Sequence, residues 1–259
     1  MNFIDVHAHL SDPKYGGDIS AVINNMKKAN ITRVINCGYD LPSSVAIAEM
    51  SEKYEGMYYC AGVHPDDAKT LTDGVYGEIK KLCLGEKCVA VGEIGFDFYW
   101  NKSTEEEQIK AFERQMELAD SLSLPFVVHS RDASAKTQAF LKDRKSLINH
   151  GFLMHCYSES AESAKVYEDL GAYFSFGGVI TFKNAKKGDI VKSIPLDRLL
   201  SETDCPYLSP EPYRGSVNDP SRIPIITAKI AEFKGISVEE AANAINQNAE
   251  RLFYKLKCN

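Results

Sequence analysis

Short apolar runs recur along the chain, separated by longer amphipathic stretches, and several of them end on a histidine or an acid rather than on a turn residue. Runs of strand length and apolar character fall at residues 2–6, 33–37, 57–63, 89–93, 126–129, 151–155, 172–175 and 199–202. Helical patterns lie between them. The clearest covers residues 104–121, where Thr104 and Glu107 have capping-box spacing and Phe112, Met116, Ala119 and Leu122 repeat at helical intervals. Further helices are predicted at 132–141, 160–170, 220–233 and 237–256, the last with Ser237 and Glu240 again at capping-box spacing. The stretch 206–224 is rich in Pro, Gly and Ser and reads as a long functional loop.

Strands alternating with helices predict a parallel sheet. Eight of them in 259 residues fit a single (β/α)8 barrel, an α/β fold of one domain spanning 1–259. A doubly wound open sheet is the alternative. No Gly-rich dinucleotide fingerprint follows the first run, which weighs against it.

The polar residues at the ends of the runs change the picture from fold to chemistry. FIDVHAH closes on His7 and His9, VAVGE on Glu93, PFVVH on His129, GFLMH on His155 and RLLSETD on Asp204. Residues i and i+2 of a strand share a face, so His7 and His9 point together. Any one of these histidines alone reads as a hydrogen-bonded core residue. Glu93 alone reads as a salt-bridged acid, and Asp204 as a turn or cap residue ahead of Pro206. All six at strand ends point to a metal site, because a barrel gathers them on its C-terminal face. Six ligands exceed the four of a structural zinc site and suit two ions. The natural division sets His7 and His9 on one ion and His129 and His155 on the other. Glu93 bridges them, and Asp204 binds one ion and takes a proton from the attacking water. Two divalent cations against two carboxylates leave a locally positive centre suited to an anionic substrate. His64 in GVHP, Arg131 and Arg214 are the candidates for gripping substrate; a solvated surface charge is the alternative for either Arg. His150 precedes its strand and is expected at the opposite end, on the surface.

Composition narrows the setting. The chain is 44% hydrophobic and 25% charged, ordinary for a globular protein. With 30 basic against 36 acidic residues the net charge is −6, so any phosphate binding must be local. The first ten residues do not read as a signal peptide, and no run approaches a membrane span. Seven cysteines without a Cys-x-x-Cys pair, with Cys37, Cys60 and Cys88 in or beside strands, predict reduced buried thiols and a cytoplasmic location. No membrane association and no obligate protein partner are expected.

The segments DVHAHL at 5–10, GVHP at 62–65, VGEIGFD at 91–97, VVHSRDA at 127–133 and MHCYS at 154–158 carry a family resemblance. So do SETDCPYLSPEPYRG at 201–215 and NAERLF at 248–253. Together they resemble the TatD family of metal-dependent hydrolases, within the amidohydrolase-like superfamily. The resemblance implies a TIM barrel with two divalent metals, zinc, manganese or magnesium, held by His7, His9, Glu93, His129, His155 and Asp204. It implies that Glu93 stands where many superfamily relatives carry a carboxylated Lys. The implied activity is that of a deoxyribonuclease, including 3′-to-5′ exonuclease action on single strands. The implied substrate is a nucleic acid or another phosphate-bearing molecule. Some relatives instead deacylate D-aminoacyl-tRNA, so an ester or amide hydrolase is the alternative. A non-catalytic nucleic-acid-binding protein ranks below both, because it predicts decayed ligands and a basic surface. Three positions depart from the pattern: Trp100, where a basic residue is common, Glu159, where Gly is common, and Asp219, where Glu is common. Trp100 is expected to pack under a loop, with stacking on a base as the alternative.

Overall fold

A computed structural model describes residues 1–100 and 102–257. Its sheet has eight strands, β1 (Phe3–Ala8), β2 (Ile31–Cys37), β3 (Met57–Ala61), β4 (Cys88–Asp97), β5 (Phe126–Arg131), β6 (Phe152–Met154), β7 (Ala172–Phe176) and β8 (Leu199–Ser201). They lie in chain order and every pair is parallel. The ring closes just beyond β8. Ala8 bridges to Cys205, the Asp204 N–H donates to the His7 carbonyl (3.0 Å), and the His9 N–H donates to the Cys205 carbonyl (2.8 Å). The fold is the expected (β/α)8 barrel.

Helices follow the strands: α1 (Ser20–Lys28), α2 (Leu41–Lys53), α3 (Asp73–Cys83), α4 (Glu105–Ser121), α5 (Ser134–Asp143), α6 (Ala161–Glu168), α7 (Gly188–Ser193), α8 (Ile223–Lys234) and α9 (Val238–Leu252). The capping box that opens α4 is present in both directions. At α9 the Ser237 hydroxyl accepts from the Glu240 N–H at 3.1 Å. Phe96 of β4 packs against Phe112 of α4 and Phe140 of α5, with ring centroids 4.6–5.3 Å apart. Truncating such a buried ring costs about 3–5 kcal/mol, so this cluster fixes α4 firmly against the strands that carry the site.

The boundaries differ from expectation where backbone geometry intervenes. The helix expected from 132 starts at Ser134, because Asp132 has a left-handed φ of 53°. The one expected from 220 begins with a 3-10 turn at Pro220–Arg222, and the one expected to reach 256 gives way to a 3-10 turn at Tyr254–Lys257. The fourth strand continues four residues past Glu93, through a register irregularity between Val91 and Ile94. Gly95 makes this continuation feasible. Its φ is 142°, and a Cβ there would meet the His129 carbonyl oxygen at 2.0 Å.

Candidate metal centre

Glu93 is the hub of the site. It is buried inside the barrel, and its two carboxylate oxygens face different histidines. Oε2 lies 3.4 Å from His7 Nε2 and 3.7 Å from His9 Nε2. Oε1 lies 2.7 Å from His155 Nε2 and 2.9 Å from His129 Nδ1. Asp204, held beyond β8 by its pairing with β1 and by a φ of 52°, joins the first set. Its Oδ1 is 3.3 Å from His9 Nε2 and 3.8 Å from His7 Nε2.

Donors around an ion with bonds of about 2.0–2.1 Å in a tetrahedral array stand ~3.3 Å apart. The contacts of the first set, from 3.2 to 3.8 Å, surround a space of that size. The second set is tighter, with His129 Nδ1 and His155 Nε2 3.3 Å apart and both in hydrogen-bond range of Glu93. An ion held there would have to displace a proton from this hydrogen-bonded group.

The outward nitrogens make the same point through their tautomers. His9 Nδ1 sits 2.9 Å from the Cys37 carbonyl, an acceptor only, so Nδ1 carries hydrogen and the lone pair of the neutral ring is on Nε2, facing the cluster. His129 Nε2 donates to Asp97 Oδ2 at 2.9 Å, which leaves Nδ1 for the cluster. His155 Nδ1 faces Glu202 Oε1 at 3.6 Å, and neither atom has a hydrogen-bond partner. His7 Nδ1 meets the Cys37 thiol at 3.2 Å. The buried donor set, two carboxylates with four imidazoles of which His9 and His129 turn a lone pair inward, fits divalent metals.

Charge is balanced here by protons. Burial works against the Glu93 carboxylate, but His155, His129 and His7 outweigh it and hold it well below the ordinary range. Burial likewise opposes protonation of His9, yet Asp204 and Glu93 lift it to about 8. His155 is raised well above its usual value by Glu93 and Glu202, against burial, and His129 is raised by Asp97 and Glu93. His64 goes the other way. Burial and the neighbouring His129 push it down to about 3, so its ring is neutral. The Asp66 N–H donates to His64 Nδ1 at 3.1 Å, which puts the single imidazole proton on Nε2, 3.7 Å from Glu93 Oε1. His64 thus presents an N–H to the cavity.

That cavity measures about 320 Å³ and is lined by His9, His64, Glu93, Asp97, His129, His155 and Asp204 together with Tyr39, Asp66, Asp67, Trp100, Lys102, Arg131 and Tyr207. The family model for TatD related DNase matches residues 4–254. The chain belongs to the TatD family. It is 42% identical over 250 residues to the metal-dependent hydrolase YabD of Bacillus subtilis (strain 168), covering 96% of this chain and 98% of that one. Identity to the metal-dependent hydrolase YcfH of Escherichia coli (strain K12) is 33% over 258 residues, with 98% and 96% covered. The crystal structure of YjjV, a TatD homologue from Escherichia coli K12, superposes with a TM-score of 0.91 at 29% identity, covering 97% and 98%. This TatD-family protein is therefore a metal-dependent hydrolase.

Most of the residues singled out from sequence meet at the TatD site; one does not. His7, His9, Glu93, His129, His155 and Asp204 converge, with His64 and Arg131 on the same cavity. Arg214 does not line it: the side chain is exposed and its guanidinium lies over the Phe182 ring at 4.6 Å. Trp100 is not packed under a loop but stands 55% exposed at the rim. Glu159 accepts from Ser130 Oγ at 2.8 Å and from the Tyr167 hydroxyl at 3.1 Å, and Asp219 caps the turn at Pro220 and accepts from Asn25. Both departures thus have structural partners. His150 is exposed at the surface, with its Nε2 3.9 Å from Asp120 Oδ1. Cys37, Cys60 and Cys88 are buried free thiols. Among the described residues no helix is long and apolar enough to cross a membrane.

Four residues that support this site escaped the sequence reading. Asp97 and Glu202 stand behind His129 and His155, as described. Gln108 and Gln115 of α4 clamp strand ends: Gln108 accepts from the Asp97 N–H and donates to its carbonyl, and Gln115 does the same for Val63, next to His64. Their signal was available. Both glutamines fall at helical spacing on the face that carries Phe112, Met116 and Ala119.

Proposed function

We propose that this TatD-family hydrolase is a deoxyribonuclease that holds two divalent ions and cleaves phosphodiester bonds of single-stranded DNA, in the 3′-to-5′ direction. The observation that carries the reading is Glu93, whose two oxygens serve two separate groups of histidines. His7, His9 and Asp204 would hold one ion with Glu93 Oε2, and His129 and His155 the other with Oε1. The imidazole-rich set favours zinc or manganese over magnesium alone. Bound there, the ions would supply Lewis acidity and a water that is nucleophilic at neutral pH.

The chain's own groups do the rest. Asp204, its carboxylate beside His9 and kept ionised by that ring against the cost of burial, accepts the proton of the attacking water. The His64 Nε2–H donates to a non-bridging oxygen of the phosphate. Arg131, exposed at the mouth, meets the phosphate charge through its planar fork. Most of the cluster is buried, so the groups that face it, His64 and Asp204, act in a setting less polar than bulk water.

Metal-replete protein is expected to degrade single-stranded DNA, and Asp204→Asn is expected to lower kcat by roughly 10²–10⁴-fold. Undiminished cleavage by that variant overturns the role of Asp204. Hydrolysis of D-aminoacyl-tRNA with no cleavage of DNA, measured side by side, overturns the nuclease reading.

A further inference from the structure

Two aromatic side chains stand at the cavity mouth on elements that the barrel places far apart. Trp100 follows β4, and Tyr207 lies beyond β8, in the segment that closes against β1. In an eight-stranded ring laid out in chain order, the β4–β5 edge lies across from the β8–β1 seam. The two rings therefore flank the Glu93 cluster from opposite sides of one cavity.

Each is open to solvent, Trp100 at 55% and Tyr207 at 42%, and each is paired with a cation. The Arg131 guanidinium lies over the neighbouring Tyr99 ring at 4.0 Å and 5.5 Å from the Trp100 ring, Lys102 Nζ lies 5.7 Å from Trp100, and Lys14 Nζ lies 4.0 Å from the Tyr207 ring. Tyr207 is held in place, because its hydroxyl donates to Asp12 Oδ2 at 2.5 Å. An exposed π face beside a positive charge matches a base beside its phosphate. A small phosphomonoester spans neither ring, and a paired duplex keeps its bases stacked inside.

We propose that the cavity binds at least two consecutive nucleotides of a single strand, one base on Trp100 and the other on Tyr207, with the joining phosphate over Glu93. This rests on the nuclease reading and adds the strand's footprint to it. It also gives Trp100, a departure from the family's pattern, a role in how this chain holds substrate.

The chain contains a single tryptophan, so its fluorescence reports on Trp100 alone. Metal-loaded, full-length protein is titrated with a short phosphorothioate oligothymidylate, with thymidine monophosphate and with a blunt duplex. The oligonucleotide is expected to quench the fluorescence and to bind more tightly than the monophosphate, while the duplex leaves the signal unchanged. Tyr207→Ala is expected to weaken oligonucleotide affinity roughly 5- to 150-fold, the loss of one stacked base, whereas Tyr207→Phe, which keeps the ring and loses only its tie to Asp12, should lose no more than a few-fold. A merely structural role for Tyr207 would not separate these two variants by ligand length.

The footprint is overturned if the oligonucleotide does not quench, if the monophosphate binds as tightly, or if Tyr207→Ala leaves affinity unchanged. Cleavage of unmodified DNA is followed in parallel. Protein that cleaves DNA but fails the titration loses the footprint alone, whereas protein that fails both loses the nuclease reading with it.

Discussion

The two halves of the candidate metal centre share Glu93 but are supported differently. On the β1 side, the outward nitrogens of His7 and His9 rest on neutral groups, the Cys37 thiol and the Cys37 carbonyl. On the β5–β6 side, those of His129 and His155 face carboxylates, Asp97 and Glu202. The first half brings a second carboxylate, Asp204, directly into the cluster and leaves a gap of ion size. The second has no such acid, and its histidines close onto Glu93 at hydrogen-bond distance. Negative charge that the first half places among its ligands is placed behind the ligands in the second. The two proposed ions are therefore expected to be unequal in affinity and in proton cost.

Glu93→Gln attacks what the halves have in common and should have the largest effect. Metal content measured by mass spectrometry should fall at both positions and activity should disappear. Loss of one ion with the other retained would show that the halves do not depend on a shared carboxylate. Asp97→Asn and Glu202→Gln probe the difference. Removing an acid behind a metal-bound histidine typically costs 10–100-fold in metal affinity. Competition with a chelator should show that loss for the second ion only. An equal loss of the first ion would break the comparison.

Acidity sharpens it further. A metal must displace the proton from any histidine whose pKa is raised, so affinity rises with pH until that pKa is passed. In the first half His9 is raised to about 8, while burial, foremost, and the neighbouring His155 lower His7. In the second both His129 and His155 are raised. Calorimetry in buffers of different ionisation enthalpy should find more protons released on binding the second ion, where both histidines are raised, than the first, where only His9 is. On acidification the second ion should leave first. Cys37→Ala, which removes only a neutral contact to His7, should have the smallest effect. Its chelator profile should stay within a few-fold of the parent chain, and a loss as large as that of Asp97→Asn would contradict the contrast.

The barrel and the convergence of the six candidate ligands were legible in the sequence because an apolar strand that ends in an imidazole or an acid breaks the usual pattern of core. Asp97 was not, because the strand carrying it was expected to stop at Glu93. The buried acid reads as an end, and only the pairing of Ile94 through Asp97 with β5 shows the strand running on. Glu202 sat within an expected strand, and nothing in its spacing sets it against His155. Arg214 illustrates the reverse error. A loop of Pro and Gly has no period, so the direction of its side chains cannot be read from spacing. Trp100 was misread for a related reason: large aromatics favour burial, and only the fold shows that this one stands at a rim beside Arg131.

The most direct test of the unequal, Glu93-bridged centre is anomalous scattering from manganese-soaked crystals held at neutral and at mildly acidic pH. Two peaks are predicted at neutral pH, one on each side of the Glu93 carboxylate, with the peak beside His129 and His155 fading first on acidification. A single peak at neutral pH, or two that fade together, would contradict it.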